Sequence, residues 1–522
     1  MNKILPAVLL LFFNSAFGQS TFQRAYGGTG NDKGLSVQQT TDGGFIMVGY
    51  TESFGAGSSD VYLVRTKPNG DTLWTKTYGG TGYDACYCVQ QTTDGGYILT
   101  GYTRSFALAM PDVYLIKTDA AGDTLWTKTY GGANDDGGYA VRQTTDGGYV
   151  IAGYTSSFGS GMDDVYLIKT TAAGDTLWTK AYGGISEEDG WSVEQTTDGG
   201  YIISGSTYTF GAGSSDVYLI KTTAAGDTLW TRTFGGANYD EGYWVQQTTD
   251  GGYIVTGYTA SFGAGSYDVY LIRTNSGGDT LWTKTYGGTG VDEGESVQQT
   301  TDGGYIIAGT TYSFGAGSYD IYLIKTDSSG DTLWTKTYGG TLEDDAWSAQ
   351  QTADSGYIVT GPAYSFGVGS ADAYLIKTDA NGNSDCNERN AATIVITPPT
   401  IVGSTATVVS STNTIVKTPA TIVGNGGVVT APCSVGVSEI QPQQSSISIY
   451  PNPAHDNFTI TINEELGIGK WDLGIYDVTG RVVHEQKIHS QLSTVNCQLN
   501  AGIYFVKVTA GKRVYAGKLV VE

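Results

Sequence analysis

An all-β chain built from one repeated antiparallel sheet is what this sequence predicts, and three observations carry the expectation. Asp42, Asp94, Asp146, Asp198, Asp250, Asp302 and Asp354 recur at a constant interval of 52 residues, which means seven copies of one unit. Within each copy, four short runs rich in Val, Ile, Tyr, Thr and Trp are separated by glycine-bearing turns, and no stretch has helical spacing with caps. The register also closes. The fourth-run tryptophans stand at Trp74, Trp126, Trp178, Trp230, Trp282 and Trp334, six for seven copies, while the N-terminal T-F-Q-R-A-Y-G-G matches the end of T-L-W-T-K-T-Y-G-G. The chain thus opens with the outer strand its last copy lacks. A ring has a use for that strand and an open solenoid has none. The fold class expected is all-β: a seven-bladed β-propeller with N-terminal strand closure, followed by a Thr/Val-rich linker and a small β-sandwich.

The copy from Val245 to Gly288 shows why each element forms. V-Q-Q-T-T and Y-I-V-T-G-Y-T flank Asp250-Gly251-Gly252, D-V-Y-L-I-R-T follows a Gly/Ser loop, and T-L-W-T-K-T-Y-G-G follows Ser276-Gly277-Gly278-Asp279. Branched and aromatic side chains suit a pleated surface, and glycine supplies the positive φ of tight turns. One such sheet is too thin to stand alone, whereas seven stacked radially bury each other's faces. Lys76 and Lys128 on the outer strand are expected to guard a charged edge. The Gly-Gly, Trp and D-V-Y positions resemble the kelch-like class of propeller, a resemblance that implies fold only.

The 522 residues carry a net charge of −23, which disfavours nucleic acid or anionic membrane as partner. Lys3, the apolar run Ile4–Phe13 and Ala16-Phe17-Gly18 read as a signal peptide over residues 1–18, with the mature chain starting at Gln19. That run is too short to span a bilayer and no later segment qualifies. The expected domains are then the propeller at 19–385, a Thr/Val/Pro-rich linker at 386–444 of short hairpins or extended spacer, and a terminal module at 445–522. A monomer is expected. Among five cysteines, Cys386 and Cys433 bracket the linker and form the candidate disulfide of an exported chain, while Cys86 and Cys88 read as buried thiols.

The terminal module reads I-S-I-Y-P-N-P, with Tyr450, Pro451, Asn452 and Pro453. F-T-I-T-I, L-G-I-Y-D-V-T-G-R-V-V with Gly480, L-N-A-G-I-Y-F-V-K-V with Gly502, and K-L-V-V-E follow. Alternation and glycine turns give a small sandwich. The order of these motifs resembles the C-terminal sorting domain of the type IX secretion system. The resemblance implies a Bacteroidetes-type source, engagement of that secretion machinery, passage across the outer membrane with removal of the domain, and release or attachment at the cell surface.

All three histidines, His455, His484 and His489, lie in the terminal module. The repeats therefore carry no histidine base, triad or common zinc site. One ring of acids follows each Gly-Gly: Asp32, Asp84, Asp136, Glu188, Asp240, Asp292 and Asp344, with neighbours Asp135, Glu187, Asp189, Glu241, Glu293 and Asp345. These are candidates for a cation site, calcium being the ion such oxygens would take, or for a sugar-binding rim; the competing reading is that each acid bonds its own loop. Asp60 and its six equivalents read as structural, and the Gln39 series as an inner ring. Trp191 and Trp347 share a position with Tyr87, Tyr139 and Tyr243 beside the acids, as a glycan binder would have them. Val37 and its equivalents lie two residues on, however, so strand alternation predicts burial of these rings between blades. No catalytic residue and no cofactor are assigned. The function expected is non-enzymatic binding of a glycan or protein, or surface architecture. The alternatives are a carbohydrate-active hydrolase or lyase using the channel-mouth carboxylates, and a calcium-dependent glycan-recognition module.

Overall fold

The computed structural model describes residues 21–107, 110–384, 386–398, 401–403, 408–411, 415–417, 422–424, 428–430, 447–450, 457–462, 471–477, 481–488, 492–496, 499–510 and 513–521. Residues 1–18, where a signal peptide is expected, and Cys433, Pro451, Asn452, Pro453 and Gly480 lie outside the described residues. Every regular element described is a β-strand. The chain divides into two compact units, residues 1–433 and 434–522.

In the first unit each of the first six copies forms four antiparallel strands. In the third copy they are Asp136–Gln143, Tyr149–Thr155, Asp164–Thr170 and Thr176–Gly183. The D-G-G turn closes on a 2.9 Å bond from the Thr144 N–H to the Gly148 carbonyl. Gly147 takes φ +83° there, and Asp146 accepts from the Gly148 N–H and the Thr144 hydroxyl. Third strands such as Asp164–Thr170 are buried along their whole length, because neighbouring sheets cover both faces. The cores accordingly lie between sheets: Val150, Ala152, Val165 and Leu167 of the third pack with Val193, Tyr201, Ile203 and Tyr218 of the fourth.

The seventh sheet takes Ser348–Gln351, Tyr357–Ala363 and Asp372–Thr378 from the last copy, and its outer strand is Phe22–Gly27. Phe22 lies opposite Lys377 and Tyr26 opposite Ala373, the pairing that the missing tryptophan predicts. Phe22, Ile358 and Leu375 of this sheet then pack against Val37, Phe45 and Met47 of the first. Buried tyrosines tie one sheet to the next: the Tyr78 hydroxyl donates to the Gly122 carbonyl at 2.6 Å, and Tyr130, Tyr182, Tyr286 and Tyr338 repeat the bond. Tyr26 of the seventh sheet makes it to Gly70 of the first.

Each sheet has a fifth strand that the sequence reading does not anticipate. It comes from the linker. Glu388–Asn390 pairs with the sixth sheet, Ile394–Ile396 with the fifth, Ile401–Gly403 with the fourth and Val408–Ser411 with the third. Ile415–Lys417, Ile422–Gly424 and Val428–Thr430 pair with the second, first and seventh. The linker is neither a set of hairpins nor a free spacer but a belt, antiparallel to each outer strand and visiting all seven sheets once in reverse order. The physical reason is the open edge: an outer strand leaves N–H and C=O groups unpaired, and a β-prone segment alongside satisfies them. Lys76 and Lys128 do not guard that edge; they pair with Asp123 and Asp175 of the following copy at 3.1 and 3.3 Å. Cys386, at the start of the belt, is disulfide-bonded, and Cys86 and Cys88 are buried free thiols.

The second unit has a three-stranded sheet, Ile447–Tyr450, Asn457–Ile462 and Leu492–Asn496. Its four-stranded sheet orders Val482–Ile488, Trp471–Asp477, Gly502–Ala510 and Arg513–Val521. Phe458, Ile460 and Val495 of one share a core with Trp471, Leu473, Val506 and Leu519 of the other. The Asp477 N–H donates to the Arg481 carbonyl at 3.0 Å, and the Arg481 N–H to the Asp477 carboxylate at 3.1 Å. Gly502 starts the third of these strands, and Tyr450 is exposed.

Candidate functional site

The inner strand of each sheet carries a β-bulge. In the third sheet Gly138 lies opposite Gly153 and Ala140 opposite Ala152, so Tyr139 has no partner. The same slip leaves Leu35, Tyr87, Trp191, Tyr243 and Glu295 unpaired in their sheets, and Trp347 holds the equivalent place before the short strand Ser348–Gln351. A bulge inserts one residue and re-aims its side chain. The glycine across from it is required: a Cβ on Gly153 would stand 1.8 Å from the Gly137 carbonyl oxygen.

All seven bulge residues line one cavity of about 280 Å³, together with Trp244 and Glu293. Tyr139 and Trp191 stack with centroids 4.0 Å apart and planes 24° from parallel. Tyr87 meets Tyr139 edge-on at 5.4 Å, and Tyr243 meets Trp191 likewise at 5.4 Å. Tyr102, Tyr154 and Tyr258 of the second strands back this collar. Trp347 remains 37% exposed. Alternation predicts that Trp191 and Trp347 are buried between sheets; the bulge breaks the alternation and turns them into the cavity instead.

The collar is acidic. Burial raises Glu295 well above the usual carboxylate range, with the charges of Glu293, Asp345 and Glu241 adding to the effect. Burial likewise lifts Glu293 to about 6 and Asp345 and Asp189 to about 7. Glu241 is raised by burial although the Tyr208 hydroxyl donates to it at 3.1 Å.

A second cavity of about 160 Å³ adjoins the collar at Trp244 and is lined by Gln38, Gln90, Gln246, Gln298 and Gln350, with Arg142 and Glu194 in the two copies that depart from glutamine. The glutamines lock sheet to sheet: the Gln38 carboxamide accepts from the Gln91 N–H at 2.6 Å, and Gln350 from the Gln39 N–H at 2.7 Å. Gln91 of the neighbouring series accepts from the Thr41 N–H at 3.0 Å. Arg142 lies over the Trp244 ring at 5.3 Å and donates to the Val141 carbonyl at 2.8 Å.

The sevenfold acid ring sits elsewhere. Asp32, Asp84, Asp136, Glu188, Asp240, Asp292 and Asp344 are fully buried. Each accepts from the backbone N–H four residues earlier, as Asp32 does from Gly28 and Glu188 from Gly184, both at 2.7 Å. Asp32 also takes the Ser53 hydroxyl at 2.6 Å. Asp60 accepts from Ala56 and Gly57 N–H groups of its own loop. Among the described residues, no group of three or more acidic, histidine or cysteine side chains could hold a metal ion. Sequence reasoning missed Leu35 and Glu295 as partners of the aromatic residues. The available signal was the glycine inside the inner strand, with buried positions Gly34 and Val37 an odd number of residues apart.

Residues 448–522 match the model of the secretion system C-terminal sorting domain. That tail marks the chain for export by the type IX system to the extracellular space or outer cell surface, and implies contact with that machinery. Two curated proteins are similar in part. The regulatory protein FlaEY of Caulobacter vibrioides is 28% identical over 274 residues, 47% of this chain and 28% of its own length. The ulvan lyase NLR42 of Nonlabens ulvanivorans is 34% identical over 83 residues, 15% of each chain. The chain thus spans less than a third of either relative. Among solved structures, Sqt1 of Chaetomium thermophilum aligns at 10% identity with a TM-score of 0.39, covering 66% of this chain and 82% of its own. PorZ, a surface component of the type IX system of Porphyromonas gingivalis, aligns at 10% identity with a TM-score of 0.33, covering 94% and 81%.

Proposed function

We propose that the exported chain is a non-enzymatic binding protein, a seven-bladed β-propeller whose ligand seats in the aromatic collar. The propeller reading is supported by the tyrosine and glutamine bonds that lead from sheet to sheet and back to the first. The binding reading rests on one observation: the seven bulge residues converge on a single cavity and are of four kinds, Leu, Tyr, Trp and Glu, while the outer strands and turns nearly repeat. A frame needs the same residue seven times; a site for one asymmetric ligand needs different ones. Aromatic faces with a few polar groups in a concave pocket are the usual makeup of a small-molecule or glycan site. The experiment is a screen of the secreted chain against bacterial and algal polysaccharides and small metabolites, scored for both binding and turnover. Hits should vanish with Trp191→Ala and persist with Tyr312→Ala, a change at an exposed ring outside the collar. Retention in the Trp191→Ala chain, or turnover of a bound polysaccharide, overturns this reading; chelator-sensitive binding would favour the calcium-dependent alternative.

A further inference from the structure

The collar holds more carboxyl groups than it has cations to pair with, and that imbalance identifies a ligand class. Among the described residues no hydrogen-bond donor or cation pairs with Glu295, although its carboxylate lines the cavity and is partly withdrawn from water. Every charged group that acts on it is another acid: Glu293, Asp345 and Glu241. The nearby cation Lys33 is already placed over the rings of Tyr50 and Tyr364, at 6.0 and 5.6 Å. Arg142 lies over Trp244, on the side of the second cavity. A buried carboxylate without a partner is costly unless a positive charge joins it.

The walls say what kind of charge. Tyr87, Tyr139, Trp191, Tyr243 and Trp347 offer aromatic faces and edges, whose electron-rich faces attract an organic cation. They offer few of the oxygen ligands that calcium or magnesium demands, in keeping with the lack of a metal-holding group among the described residues. The cavity, about 280 Å³, is near the lower limit of small-molecule sites. The net charge of −23 over the chain adds long-range attraction for a cation.

We propose that the collar binds a small alkylammonium ligand, its cationic head set against Glu295 and enclosed by Tyr139, Trp191 and Tyr243. This rests on the collar being the ligand site, and the test separates the two. Choline and its uncharged carbon isostere 3,3-dimethylbutan-1-ol are titrated into the full chain at neutral to slightly alkaline pH, with tryptophan fluorescence and calorimetry as readouts. Choline is expected to bind, and the isostere to bind about tenfold more weakly or worse. Glu295→Gln keeps the shape and removes the charge, so it should weaken choline by about tenfold while leaving the isostere unchanged and the melting temperature no lower than that of the parent chain. Equal binding of choline and isostere overturns the proposal, as does choline binding indifferent to Glu295→Gln. If choline does not bind while a neutral oligosaccharide binds and is lost in Trp191→Ala, the collar stands and the cation falls. If neither binds, both fall.

Discussion

The innermost and outermost strands of each sheet have opposite histories written in the same repeat. The outer strand is nearly invariant, T-L-W-T-K-T-Y-G-G in most copies, and its far edge is covered by the belt. The inner strand keeps its acid and its glutamine in every copy and its glycine in five of seven, yet the bulge position reads Leu35, Tyr87, Tyr139, Trp191, Tyr243, Glu295 and Trp347. The outer position answers to one demand, the next sheet and the belt, seven times over. The bulge position has no register partner across its own sheet and is free to differ. Sameness in this chain therefore marks frame, and difference marks the place where the frame meets something else.

The largest expected effect breaks the outer half of that comparison. Truncation after Ser384 strips the belt from seven edges, whereas truncation after Cys433 removes only the second unit. Net backbone hydrogen bonds contribute roughly 1 kcal/mol each, offset by the ordering entropy of the belt. The shorter chain should lose several kcal/mol and aggregate through its bared edges; the longer should melt with the intact first unit. We propose Cys433 as the partner of Cys386. Thr430, three residues before Cys433, pairs with Ala25, two residues from Gln23, whose side chain bonds the Cys386 carbonyl. Cys433→Ser should then cost about 2–4 kcal/mol, and peptide mapping of the oxidised chain checks the pairing directly. A beltless chain as stable as the intact one would make the fifth strands ornamental.

A second test contrasts the acids of the collar with those of the turns. Burial pushes Asp189 and Asp345 to about 7 and Glu293 to about 6. It also pushes Asp216, Asp268 and Asp320, which start third strands, to about 6. Because these values lie above those of the unfolded chain, the stability they allow is full below about pH 4 and is lost as pH rises through 6 to 7. Asp94, Asp146, Asp198 and Asp302 of the D-G-G turns are held at about 2 by bonds from lysine, threonine and glycine that outweigh their partial burial. Their contribution is present above about pH 4 and lost as pH falls through 2. It is modest, since each is more than half exposed. The melting temperature should peak near pH 4–5 and decline toward 7.5. Glu293→Gln combined with Asp345→Asn should flatten that decline. A profile that rises steadily to pH 7.5 would mean that the collar acids meet water freely.

How much of this was legible follows from where the constraints act. The sheets, their turns and the closing pairing of Phe22 with Lys377 are local or periodic consequences of sequence, and the missing seventh tryptophan sufficed for the last. The belt was half legible. Ile394, Ile401, Val408, Ile415 and Ile422 begin strands at a seven-residue step, but nothing local says that a strand will pair with a sheet rather than its neighbour. The collar was nearly lost, because Tyr139 and Val141 would share a face on a regular strand and one bulge at Gly138 reverses the inference. Trp191 and Trp347 stood out as departures; Glu295 did not, since one more glutamate among acids looks like none.

The smallest expected effect lies where the frame itself departs. Six D-G-G turns put glycine at φ between +83° and +86°, whereas the seventh, A-D-S-G, holds Ser355 at φ +68°. The turn is otherwise intact, with Ser355 N–H to Thr352 C=O at 2.9 Å and Thr352 N–H to Gly356 C=O at 2.9 Å. A side chain in the left-handed region costs about 1 kcal/mol that glycine does not incur. A Cβ at the equivalent Gly303 would touch nothing within 4 Å, so the cost is conformational rather than steric. Ser355→Gly should therefore stabilise the chain by up to about 1 kcal/mol, less what glycine's looser unfolded state returns, and Gly303→Ser should destabilise it by a similar amount. The seventh sheet also has the shortest inner strand, Ser348–Gln351. If Ser355→Gly instead destabilises the chain, the serine is part of how the closing sheet is fitted, and the departure belongs with the collar rather than with the frame.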